Sequence, residues 1–555
     1  MLMKCCKYFV FAIAFTTIVT ADIFAQTAAD AHRPQQMAAL TISSLSSVND
    51  ALYSGLSGIG SVDSKDATDD ILQWLFMVPS LSCADKTREA TVCLLTPKNA
   101  FDIPDKAAVL PLAPIGGAYQ LVSELRQTYS TITGTNLLFC SDPVDSNKVS
   151  NICLYLTKNT ALIANNRESL VWLARQFRNK SLPSIKPVRN RAPIAITFDG
   201  KLCHEFLSIL VPSTDVAYGL PYYLMLLKEI LSTVESADIS IEPDAIDWRI
   251  ALRLNYKTKT MSAFEGKAYT KNTILNDEFP IFSHCQSISY LPSVFDILPK
   301  SISDNFNRGI NSIYNSSHIL PAMPEVDKAI KGHLTGERAA AIVTSTQDNL
   351  LGKIEIFPIK DLTLLKDALK KTNFPTDSVK RLADRQTYGT TVYKYTINAK
   401  TSEIDSKWSF IAHALSMLYS LDTVEFAITD SKLYVASGSK GLIDNWLKKE
   451  GLPTKRPNSL IFSPLPPDEI PLGGGIQDIS SLIDTLAKST EQLKPISKDL
   501  PHPGSGIQWQ ISRSKNSVVF DILASSSEIL ALKVMSNIDT EKIRSLILEK
   551  ASMQR

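Results

Sequence analysis

Apolar and polar positions alternate with period two through Ile152-Cys153-Leu154-Tyr155-Leu156. They resume as a short apolar run, Ala161 to Ala164, after the polar step Thr157 to Asn159. Helical spacing then takes over at Leu170, Val171 and Ala174. This order predicts a strand, a tight turn, a second strand and a helix. The same order returns without a gap in the stretch that begins at Thr423. There Val424, Phe426 and Ile428 fall on Ile152, Leu154 and Leu156; Tyr434, Val435 and Ala436 fall on Leu162, Ile163 and Ala164; Leu442 and Ile443 fall on Leu170 and Val171.

Other echoes point the same way. ISSLSSVNDAL, Ile42 to Leu52, and ISYLPSVFDIL, Ile288 to Leu298, share seven of eleven residues. Each reads as the end of an apolar segment followed by a helix that starts at Ser43 or Ser289, a residue type that supplies the orphan N–H groups of a first turn. Pro111 in AVLPLA answers Pro358 in EIFPIKD, and each half closes on a helix followed by strands that hold Trp248 or Trp509. Residues 400–422, an apolar helical stretch with Trp408, Phe410, Ile411, Leu415 and Leu418, have no partner in the first half and read as an insertion. The expected fold class is α+β, a tandem duplication of a mixed module with largely antiparallel sheets and packed helices. Residues 39–280 form the first repeat domain and 281–555 the second.

The N-terminus is of a different kind. A short basic start is followed by an apolar run from Tyr8 to Ala21, the length of a secretory signal core and short of the ~20 residues that span a bilayer. Residues 1–25 therefore read as a signal peptide, cleaved after Ala21 or Ala25, with 26–38 as a loose leader and no transmembrane segment after the signal. Of the 555 residues 44% are hydrophobic, and 58 basic side chains oppose 56 acidic ones. That balance, with no charge run, speaks against nucleic acid as a partner.

Eight cysteines are present, and Cys5 and Cys6 leave with the signal. An even remainder in an exported chain suggests disulfides. The midpoint of Cys140 and Cys153 lies in the polar run 141–150, so a symmetric hairpin would set the two opposite each other, within bridging distance. Cys83 with Cys93, and Cys203 with Cys285, follow by elimination. Cys203-His204 and His284-Cys285 also hold zinc-type ligands, although adjacent residues diverge on a strand and a disulfide needs less.

Other chemistry is thin. GLSGIG at 55–60 misses the G-x-S-x-G form, and Ser437-Gly-Ser-Lys440 satisfies S-x-x-K without its usual partner motifs. Gly473-Gly474-Gly475, close behind Pro466, Pro467 and Pro471, reads as a loop ahead of a helix and lacks the G-K-[ST] ending of a phosphate loop. No H-E-x-x-H occurs. No catalytic, cofactor-binding or metal-binding residue is assigned.

The stretches Glu355 to Asp361 and Lys432 to Leu442, with fainter versions at 107–113 and 160–170, resemble in layout a loose group of exported two-repeat bacterial proteins of unknown function. That resemblance implies an envelope setting, periplasmic or secreted, and brings no activity with it. The expectation is an exported, non-catalytic binding or structural protein of the bacterial envelope, with an apolar ligand or an envelope protein as its kind of partner. An exported hydrolase with a site built from distant residues, and an apolar-ligand or lipid carrier, are the alternatives.

Overall fold

A computed structural model describes residues 34–58, 64–97, 102–128, 130–133, 137–141, 152–182, 185–189, 192–210, 228, 230–244, 246–257, 285–292, 329–335, 337–344, 351–371, 379–397, 423–437, 441–449, 466–477, 506–514 and 516–530. The signal segment, the insertion at 400–422 and the expected domain boundary lie outside the described residues. The chain forms two compact units, Met1–Met261 with Asn516–Asp521, and Ser262–Lys515 with Ile522–Arg555.

In the first unit the strands are β1 (Gln36–Ile42), β2 (Ala90–Leu95), β3 (Asp105–Pro111), β4 (Ser130–Thr133), β5 (Leu137–Ser141), β6 (Ile152–Leu156), β7 (Thr160–Ala164), β8 (Ile194–Asp199), β9 (Val234–Pro243) and β10 (Asp247–Tyr256). All pair antiparallel, in the order β4-β5-β6-β7-β3-β2-β1-β8-β9-β10. The described strands that follow are β11 (Cys285–Pro292), β12 (Glu337–Thr344), β13 (Leu351–Pro358), β14 (Val379–Arg381), β15 (Arg385–Thr387), β16 (Thr390–Ile397), β17 (Thr423–Ile428), β18 (Lys432–Ser437), β19 (Ile470–Gln477), β20 (Ile507–Arg513) and β21 (Ser517–Ser525). In the second unit both β14 and β15 pair with β16, and the order continues β16-β17-β18-β13-β12-β11-β19-β20, again antiparallel. From β16 to β20 this repeats the order β5-β6-β7-β3-β2-β1-β8-β9 of the first unit.

The ladders agree residue by residue. One rung of the first sheet runs Ala39, Cys93, Ala107, Ala164, Cys153. Its match in the second runs Ile288, Ala341, Ile354, Ala436, Glu425. The pairing of Pro111 with Thr160 is repeated by Pro358 with Lys432. These are the equivalences that the alternation predicts for β3, β6 and β7. The eleven-residue echo is the exception. Ile288 occupies the ladder place of Ala39, not of Ile42, three residues away. The strand β11 runs on through Ser289 to Pro292, so no helix begins at Ser289.

The helices that follow the first strands are α1 (Leu45–Gly58), α2 (Ser64–Phe76), α3 (Gly117–Thr128), α4 (Arg167–Arg178) and α5 (Gly200–Leu210), with α6 (Leu362–Lys371) and α7 (Leu442–Lys449) in the second unit. The start of α1 is set by Ser44, one residue beyond the expected Ser43; its Oγ accepts from the Ser47 N–H at 3.0 Å. Asn166 caps α4 through the Ser169 N–H at 2.8 Å, and Asp361 caps α6 through the Leu364 N–H at 3.0 Å. Gly200 opens α5 because a Cβ there would come within 2.3 Å of the Val234 carbonyl oxygen.

Both faces of the central strands are covered. On one face Cys93, Leu95, Ala107, Val109, Cys153, Leu162 and Ala164 close against Leu170 and Leu173 of α4. The intervening Ala108, Leu110, Leu154 and Ile163 are buried as well, which is why β3 and β7 read as continuous apolar runs. In the second unit the matching second face holds Phe357, Tyr393, Tyr395, Val424, Phe426, Ile428, Leu433 and Val435 under Leu365 and Leu369 of α6. Tyr395 and Phe426 meet edge to face at 5.2 Å.

Asn516–Asp521, placed by the sequence in the second domain, belongs to the first unit. The Tyr256 N–H donates to the Asn516 carbonyl at 3.0 Å, and the Arg189 guanidinium forks onto the Asp521 carboxylate.

The expected disulfides do not form. In the β5–β6 ladder Cys153 stands opposite Phe139, and Cys140 opposite Ile152. A shift of one residue reverses which side of a strand is presented, so the symmetric bridge is lost. Cys83, Cys93, Cys153 and Cys203 are free, buried thiols. Cys93 lies in the core under α4, whereas the Cys83 carbonyl lies beside Gly117 at the start of α3. The Cys203 thiol donates to the Met37 carbonyl at 3.5 Å. Burial pushes Cys93 and Cys203 up to about 12, and burial with the nearby Glu124 carboxylate pushes Cys83 to about 11. The side chain of Cys285 lies outside the described set.

Candidate functional site, a polar cleft beside helix α6

The second unit contains a cleft of about 690 Å³ lined by Lys366, Lys370, Gly389, Thr390, Thr391, Tyr393, Ile428, Thr429, Asp430 and Ser431. Three pieces of chain make it. Leu365 and Leu369 are fully buried and fix the rotation of α6, and Lys366 and Lys370 follow them around the helix, one turn apart, as part of the cleft wall. In α3 of the first unit the buried pair is Leu121 and Leu125, so the lysines stand where that helix carries Val122 and Arg126.

The second wall is the turn between β15 and β16. Tyr388 and Gly389 both have positive φ, 47° and 74°, which is the two-residue turn whose twist suits a hairpin. A Cβ on Gly389 would meet nothing within 4 Å, so backbone angle and not space accounts for the glycine. The turn presents Thr390 and Thr391 to the cleft. Tyr393 follows on the same strand, and burial raises its phenol above the ordinary value. Arg385 anchors this hairpin. It donates to Glu425 at 2.8 Å and to Thr387 at 2.6 Å, and it is paired with Asp444 of α7.

The third wall is the β17–β18 turn. The Thr429 N–H donates to the Lys432 carbonyl at 2.9 Å, and the Lys432 N–H returns to the Thr429 hydroxyl at 3.2 Å. Asp430 and Ser431 are left at the tip, and the Ser431 carbonyl is held by the Ile359 N–H at 2.8 Å. The first unit repeats this brace with Thr157, Thr160, Asn159 and Leu112, so the turn is part of the shared frame. Thr157 and Thr429 open the turn alike, and the residues after them differ: Lys158, Asn159 and Thr160 in one unit, Asp430, Ser431 and Lys432 in the other.

The cleft therefore offers two ammonium groups, several hydroxyls, one phenol and one carboxylate over a small apolar floor at Ile428. Its lining has no Cys or His. The set suits holding a polar ligand by many hydrogen bonds and a modest positive field. It does not resemble an apolar pocket.

The residues singled out by sequence lie elsewhere. Ser437 is the last residue of β18, buried and paired in the ladder with Lys353 and Val424, so it does not open a helix. Gly473 to Gly475 are not a loop but part of β19, between β11 and β20; Gly474 faces Tyr290 on one side and Gln510 on the other. Gly55 packs against Trp248 within α1. Residues 407–420 and His284 lie outside the described residues. Among the described residues no group of three His, Cys, Asp or Glu could hold a metal ion. None of the cleft residues was a sequence candidate.

No protein-family model matches the chain, and no curated protein matches it. Among solved structures, a crystal form of TP0453 aligns with 40% of this chain and 76% of its own, at 7% identity and a TM-score of 0.23. A score that low carries no argument about fold or function.

Among the described residues no helix is long and apolar enough to cross a membrane. Two polar sets, one buried and one half-buried, complete the electrostatics around the sheets. Lys353 pairs with Glu355 at 3.3 Å with both side chains buried. Lys106, at the matching place on β3, donates to the Trp74 carbonyl at 3.0 Å and lies 3.6 Å over its ring, and burial lowers its amine to about 7. The helix α2 ends at Phe76 in a left-handed turn at Met77, φ 56°, and the Trp74 carbonyl in its last turn accepts from both the Met77 N–H at 3.4 Å and the lysine.

Proposed function

We propose that this chain is an exported, non-catalytic binding protein of the bacterial envelope, and that its second unit holds the ligand in the cleft beside α6. Export rests on the basic start and the short apolar run of residues 1–25. The binding reading rests on the cleft itself. Its polar groups come from two hairpin turns and a helix face braced independently of any ligand, so the walls are pre-formed and little ordering is lost on binding.

The polar lining favours a hydroxyl-rich ligand over an apolar cargo, and nothing in it pairs a nucleophile with a base as a hydrolase site would. The test is a ligand screen by thermal shift on the mature chain, repeated on Thr390→Val with Ser431→Ala. Any ligand that stabilises the wild type should lose its effect in the double variant. A ligand that stabilises both alike would move the site elsewhere.

A further inference from the structure

We infer that the cleft of the second unit is built for an acidic sugar, a hydroxylated ring that carries a carboxylate or phosphate. This rests on the proposal that the cleft is a binding site and narrows its ligand. The lining combines two kinds of group that such a ligand uses together. Lys366 and Lys370 project from one helix face, a turn apart, about 6 Å between Cβ atoms, and supply donors and positive charge without an acceptor. Thr390 and Ser431 both donate and accept, as sugar hydroxyls do, and Asp430 can only accept, so it calls for a ligand hydroxyl and not a second anion.

Among the described lining residues two cations stand against one carboxylate. A neutral sugar would satisfy the hydroxyls and leave the ammoniums solvated. A bare anion would satisfy the ammoniums and leave the opposite wall idle.

The experiment is isothermal titration of the mature chain with three probes: oligogalacturonate, a neutral maltooligosaccharide and inorganic phosphate. Oligogalacturonate should bind best, weaken as salt rises, and lose at least tenfold in affinity in Lys366→Ala with Lys370→Ala, while the circular dichroism and melting temperature of that variant stay near wild type. Equal or tighter binding of the neutral oligosaccharide, lost in Thr390→Val with Ser431→Ala, would overturn the acidic inference and leave the cleft as the site. Binding of phosphate as tight as oligogalacturonate would overturn the sugar part. No binding by any probe, or binding indifferent to both double variants, would overturn the inference together with the cleft.

Discussion

At the same rung of the same sheet the first unit places the thiol of Cys153 and the second the carboxylate of Glu425. Around Cys153 the neighbours are apolar and α4 seals them. Around Glu425 a cation arrives from outside the shared frame: Arg385 of β15 reaches both Glu425 and Asp444 of α7. In the sequence match Asp444 falls on Trp172. The frame thus accepts either a sealed apolar seam or a three-residue charge cluster at one place, provided the whole set changes together. A lone carboxylate at that rung would be desolvated without compensation. The two units also differ beside α3 and α6, where Val122 and Arg126 give way to the two lysines of the cleft. Function has room to diverge where the frame is already braced by turns.

This comparison can be broken at its strongest point. Phe426→Ala should cost about 3–5 kcal/mol, and Leu154→Ala, its equivalent in the other sheet, about 2–5 kcal/mol, since both side chains are fully buried in matching places. Urea denaturation of the two variants reads this directly. A negligible loss in either one would mean that the shared ladder does not carry shared packing. Next in size, Arg385→Ala should destabilise by about 1–3 kcal/mol by leaving two carboxylates without their shared donor. A double-mutant cycle with Glu425→Gln should recover part of the loss, and a strictly additive cycle would dismiss the cluster.

A smaller effect is expected at the start of α4. Asn166→Ala should cost about 1 kcal/mol, the value of a side-chain N-cap. The second unit has Gly438 at the matching sequence place, so Gly438→Asn tests whether the cap can be transplanted. The smallest effect is a slope. With its amine lowered to about 7 when folded, against 10.5 when free, Lys106 makes the unfolded chain the better proton binder between those values. Stability therefore rises with pH across that window and has no such contribution to its slope below it. Urea midpoints at pH 7, 8 and 9 should climb less steeply in Lys106→Met than in the wild type.

How far the sequence carried differs from strand to strand. The equivalence of β6 with β17 and of β7 with β18 was legible because the alternating strand, the polar turn and the apolar run that follows keep the same spacing in both halves. The opener misled because Ile42 ends a strand while Ile288 lies inside one, and helical spacing after each made the two stretches look alike. The cysteine hairpin failed because the midpoint argument assumes a symmetric turn, and one residue of asymmetry is enough to undo it. The glycine run failed because Gly and Pro are loop residues in most contexts, and only the two flanking ladders show that Gly473 to Gly475 are strand. The cleft was invisible for a plainer reason. Lys366 and Lys370 look like any solvated helix face, and their partners at 389–393 and 428–431 are joined to them only by the fold.

Those three glycines also bear on how the second unit assembles. Successive residues without side chains give a strand little grip of its own and the largest freedom to lose on ordering. What holds β19 in line is the hydrogen bonding it receives from β11 and from β20. It is a seam closed by its neighbours, so its amides should become protected from exchange only after both flanking strands are in place.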